Sequence, residues 1–135
     1  MNKKFVISSL VLAVAALMEG FVVHALLLRN DYARLPSLYR SESESQGYFG
    51  FMLLAHLLIG IGLTWIYRQG REAGKPIVLQ GLKFGAAISV VSTIPLYLIY
   101  FAVMRLPSDL VAQQVVFDTV GMLAIGVLAA WINKE

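Results

Sequence analysis

Four long apolar runs divide the chain, with short polar breaks between them. They cover about Phe5–Arg29, Gly47–Tyr67, Ile77–Met104 and Asp109–Ile132. Each is longer than the ~18 apolar residues that read as a membrane span. They lack the ~10-residue alternating segments of barrel strands. In hydrocarbon an isolated segment must pair its own backbone N–H and C=O groups, so each run is expected to be a helix. The predicted fold class is all-α, with one domain, 1–135, of four transmembrane helices.

The links between runs set the expected order. "RQGREAGKP" is short, polar and broken by Gly70, Gly74 and Pro76. "RLPSD" is tighter: Pro107 stops the third run, Ser108 is expected to cap the fourth, and Asp109 suits its dipole. Such links force antiparallel neighbours and predict an up-down-up-down bundle. The link Asn30–Gln46 is longer. Within it Tyr32, Leu35, Leu38 and Tyr39 share one helical face, opposite Arg34 and Ser37, which predicts a turn or two lying in the interface. "SESES" then reads as a solvated hinge. Gly81, Gly85 and Ser89 form a small-residue ridge, and Gly121 with Ile125 and His56 with Gly60 and Thr64 form similar stripes. Small residues let membrane helices approach closely. The ridge is expected to pack inside the bundle, although a homodimer would use the same surface.

Charge adds an orientation. Lys3, Lys4, Arg68, Arg71, Lys75, Lys83 and Lys134 fall on one side, and Arg29, Arg34, Arg40 and Arg105 on the other. The richer side is expected to be cytoplasmic, with both termini there, in a multi-pass protein of the cell (inner) membrane. Trp65, Tyr67 and Trp131 near one boundary, and Tyr48, Tyr100 and Phe101 near the other, read as aromatic belts. The start, "MNKKFVISSLVLAVA", resembles a secretory signal. Apolar sequence runs on to Leu28, so an uncleaved first span is expected. The net charge of +3 forms no basic stripe, which argues against a nucleic-acid partner. With no cysteine, disulfides and thiolate metal sites are excluded.

Polar residues inside the runs are the candidate chemistry. At 1.5 Å per residue, Glu19 lies ~15 Å inward from Arg29, and His56 and Asp118 lie ~13–14 Å inward from their own ends. Thr93 and Ser92 lie ~16–18 Å inward. The hydrocarbon core is ~30 Å thick, so all four spans carry a polar group near the midplane. Leaving a charge in lipid costs at least ~2.5–3.5 kcal/mol. Glu19, His56, Asp118 and Ser92 or Thr93 are therefore expected to converge. Pro95 removes one backbone hydrogen bond and is expected to free the carbonyl near Val91 at that depth. His24 lies ~140° around an ideal helix from Glu19 and ~7–8 Å shallower. It is assigned with Tyr97 and Tyr100 to a second tier, below a mouth marked by Asn30 and Asp31.

Three function classes follow. The first is a small transport or channel-like protein whose polar layer binds or passes a proton, cation or small cationic solute. The second is a non-enzymatic accessory subunit of a larger membrane complex, with the layer as interhelical glue. The third is a metal or haem site, since carboxylates with histidine suit a divalent metal and two histidines suit axial haem ligation. However, the Glu-x-x-His signature of bundle di-iron proteins is missing, and His24 and His56 differ in depth by ~6 Å, which disfavours haem. No cofactor is assigned. The chain lacks His-Glu-x-x-His, a phosphate loop and Gly-x-Ser-x-Gly, so the reading leans away from an enzyme.

Two stretches, "HALLLRNDYARLPSLYR" and "GLKFGAAISVVSTIPLYLIYFAV", resemble a diffuse group of short, uncharacterised bacterial four-helix integral membrane proteins. The resemblance implies architecture and carries no active residues.

Overall fold

The computed structural model describes residues 2–134, which hold helices and connecting turns and no strand. Helix α1 covers Lys3–Gly20 and runs into a π-helical stretch, Phe21–Leu27. Two short helices follow, α2 at Arg29–Ala33 and α3 at Glu42–Gln46. Helix α4 is Phe49–Gly70. The third run is α5 (Ile77–Ile88), a second π stretch (Ser89–Thr93) and α6 (Ile94–Val103). Helix α7 is Ser108–Ile132. Four of these runs are long and apolar enough to cross a membrane: Lys3–Leu27, Phe49–Gly70, Ile77–Val103 and Ser108–Ile132.

Helix α7 packs most extensively on α5 and also touches α1, α4 and α6, while α1 also packs along α4. Glycine makes both main seams possible. A Cβ on Gly60 would strike the backbone of Ser9 and Ala13, and one on Gly126 would strike the backbone of Gly81 and Gly85. The ridge of Gly81, Gly85 and Ser89 is thus spent inside the bundle, as its small residues predict.

The interior has two halves. Leu12, Ala16, Leu63, Tyr67, Ile125, Ala129 and Ala130 form an apolar core nearer the two termini. Val23, Leu28 and Leu110 form a smaller one at the opposite end, with Tyr32, Leu35 and Phe117 against it. Tyr67 leaves its predicted boundary role and is only 4% exposed, edge-on to Phe84 at 5.3 Å.

A buried polar lock closes the terminal end. Asn133 Nδ2 donates to Ser8 Oγ at 2.7 Å and to the Ala129 carbonyl at 2.9 Å. Thr64 Oγ1 donates to the same Ser8 oxygen at 3.4 Å, and Arg71 donates to the Asn133 carbonyl at 2.9 Å. Ser8, Thr64 and Asn133 are all buried. Removing one partner leaves a desolvated group unpaired, which costs about 1–3 kcal/mol. Asn133→Ala is therefore expected to destabilise the fold by that amount, read as a lower midpoint of SDS-induced unfolding. An unchanged midpoint would mean the lock adds nothing.

Three local expectations need correction. "SESES" is not a hinge: Ser41 and Glu44 form a reciprocal capping box that starts α3. Ser108 does not cap α7. It is the first helical residue, because extended Pro107 takes the flanking position, and no side chain caps there. Tyr32, Leu35 and Tyr39 are half-buried, but Leu38 on the same predicted face is 39% exposed. The segment docks through one edge only, because α2 stops at Ala33 before the full face can form.

Candidate functional site

A cluster of carboxylates, imidazole and phenols lies where α7 meets the π stretch of the first run and α6. Asp118 on α7 is its hub. Its Oδ2 accepts from the Tyr97 hydroxyl of α6. The same oxygen lies 3.3 Å from His24 Nε2. The Tyr97 hydroxyl is also 3.4 Å from His24 Nε2. Glu19 interacts with both Asp118 and His24. Its carboxyl lies against Gly121, which is three residues past Asp118, and any side chain at Gly121 would displace it.

The opposite face of His24 is held from outside the spans. Tyr32 of α2 is 2.6 Å from His24 Nδ1 and accepts from Gln114 Nε2 of α7 at 3.0 Å. Burial pushes the Tyr32 hydroxyl up to about 12, against an opposing effect of the Gln114 bond. It therefore keeps its proton at ordinary pH. A phenol that keeps its proton can donate to His24 Nδ1 or accept from it, and His24 Nε2 faces Asp118 on the other side of the ring.

Three oxygens of the network, Glu19 Oε1, Asp118 Oδ1 and Gln114 Oε1, are buried and have no donor among the described residues, and the first two belong to carboxyls. Two ionised carboxyls in contact repel, and a proton on one of them turns that contact into a hydrogen bond.

The π stretch explains why His24 is present. Its i→i+5 bonding widens the turn and brings residues five apart onto adjacent turns of one face. Counting at the ideal α angle put His24 ~140° away from Glu19, which is why it was assigned to a shallower tier. Tyr97 shares the site with it as expected, but Tyr100 is 43% exposed and stands outside.

Other expected members lie elsewhere. His56 lies on α4, and its Nδ1–H donates to the Met52 carbonyl at 2.7 Å. Its Nε2 faces Gly20 in the α1–α4 seam, 3.6 Å from where a Cβ would sit. The three-way convergence is therefore a two-way one, because depth does not fix rotation. Ser92 is exposed and Thr93 half-exposed, and neither bonds to the cluster. Pro95 is accommodated by the second π stretch, in which the Ile94 N–H reaches back to the Ser89 carbonyl. Val91 is 79% exposed.

Gln114 is not singled out by the sequence reading, and Tyr32 enters it only as part of an interfacial face. Gln114 had a signal: it precedes Asp118 by four residues, hence on the same helical face of an apolar run. Among the described residues, no group of three or more His, Cys, Asp or Glu side chains is arranged to hold a metal ion. Comparison with protein-family models, curated proteins and solved structures returns no match.

Proposed function

We propose that this chain is a four-helix integral membrane protein whose Glu19–Asp118 pair binds one proton, taken up from the side opposite the termini. The observation that carries the reading is the pair of buried carboxylate oxygens that lack any other donor. The route follows from burial. The His24 side chain is 35% exposed and Asp118 13%, so the cluster reaches solvent or headgroups through His24 and Tyr32. Toward the termini, Leu12, Ala16, Ile125 and Ala129 block it with apolar side chains. Exchange from one side suits a protein that loads a proton, alone or with a small cationic solute, more than an open channel. The spans alternate up-down-up-down in this reading, and the cation-rich end with both termini lies in the cytoplasm.

Orientation is tested with single cysteines, which the cysteine-free chain makes simple. Cysteines at Ser43 and Ser108 are expected to react with an impermeant thiol reagent added outside intact cells, and one at Gln69 is not. The opposite pattern would invert the topology. The proton is tested by infrared difference titration of the full chain in phosphatidylcholine vesicles. A protonated-carboxyl C=O band is expected to titrate in the native chain and to vanish in Glu19→Gln. If no carboxyl band titrates and the substitution alters stability alone, the cluster is interhelical glue for an accessory subunit, and the proton reading fails.

A further inference from the structure

We propose that the groove between α1 and α7 at the terminal end binds an anionic phospholipid. This rests on the membrane reading above but not on the proton site. The groove has a volume of about 500 Å³ and is lined by Ile7, Val11, Leu128, Trp131, Ile132 and Lys134. Its walls are apolar, and its cations lie at one end. Lys134 Nζ stands 4.8 Å over the Trp131 ring. Lys4 reaches across from α1 and donates to the Lys134 carbonyl at 2.5 Å. That bond uses one of three ammonium N–H groups. Neither lysine has a carboxylate partner among the described residues.

This layout matches a lipid with a phosphate at the boundary and an acyl chain below it. From Leu128 to Lys134 the groove runs ~9 Å along the helix. It therefore takes the glycerol end of the lipid and the first part of a chain, with the remainder lying on the outer surface. Trp131, 57% exposed, sits where an indole bridges headgroup and hydrocarbon. Charge makes the lipid anionic, because basic pockets between helices at this face recruit negative headgroups. A second copy of the chain fits less well. A two-fold contact would bring Lys4 and Lys134 against their own symmetry mates.

The test uses the full chain carrying Trp65→Phe, which leaves Trp131 as the one tryptophan. It is reconstituted into phosphatidylcholine vesicles containing a minor fraction of brominated phosphatidylglycerol or, in parallel, brominated phosphatidylcholine. The anionic quencher is expected to occupy the groove on the order of 10-fold more strongly than the zwitterionic one, from two headgroup-level lysines. Lys4→Gln with Lys134→Gln should abolish that preference, and Arg105→Gln at the far end should keep it. Equal quenching by both lipids would overturn the proposal. So would protection of Trp131 from both by self-association, which would assign the groove to a second copy. If Trp131 is quenched by neither lipid and the chain does not float with the vesicles, the membrane reading itself fails.

Discussion

Asp118→Asn is expected to abolish proton binding while leaving the bundle folded. The substitution preserves shape. Its amide oxygen takes the position of Oδ2, accepting from Tyr97 and facing His24 Nε2 as Asp118 does. Its amide nitrogen adds a donor to a cluster in which Glu19 Oε1 has none. The variant thus supplies by covalent structure the hydrogen that the native pair takes from solvent. The whole uptake should disappear, about one proton per chain for a shared carboxyl pair. A dye-based uptake measurement on proteoliposomes reads this directly. The unfolding midpoint should hold, since the contacts to Tyr97 and His24 survive and the cluster keeps the single negative charge of the protonated pair. Native uptake in this variant would refute the assignment. Asp118→Ala would not serve, because it removes the partner of three groups at once.

Gly126→Ala is expected to be among the most damaging single methyl groups. Its Cβ would meet the Gly81 carbonyl oxygen and the Gly85 backbone, so no side chain can move aside. The α5–α7 seam must open instead. Overpacking of this kind costs about 1–3 kcal/mol, and a backbone-to-backbone clash belongs at the upper end. Gly62→Ala is the control. It makes the same chemical change on α4 where nothing lies within 4 Å. It should hold the midpoint or raise it slightly, because alanine favours helix. Equal midpoints for the two variants would show that the close crossing is not required.

The fold was legible because it is written in hydropathy. The expected run Phe5–Arg29 became Lys3–Leu27, and Asp109–Ile132 became Ser108–Ile132. The seams were legible for a related reason: a glycine ridge leaves few surfaces for a backbone to approach. The cluster was legible only in depth. Counting rise per residue put Glu19 and Asp118 level, and they meet. The same count put His56 level, and it turns into the α1–α4 seam, because rise carries no information about which way a side chain points. His24 failed in the opposite sense, since the counting assumed an unbroken α-helix and the chain widens at Phe21. Tyr32 was read as an interfacial ring by its spacing. Its hydroxyl acts on residues at a distance in sequence, a relation no local pattern encodes.

The first span is, in effect, two helices set out of phase. Up to Gly20 its angular register is fixed by the seam with α4. Beyond the widened turn a new register begins, and it presents His24 to Asp118. The two registers are therefore independently adjustable. Deleting one residue within Phe21–Leu27 would restore a single phase, carry His24 off the cluster and leave the glycine seam at Gly60 untouched. Composition of the site and construction of the scaffold are thereby uncoupled along one continuous span.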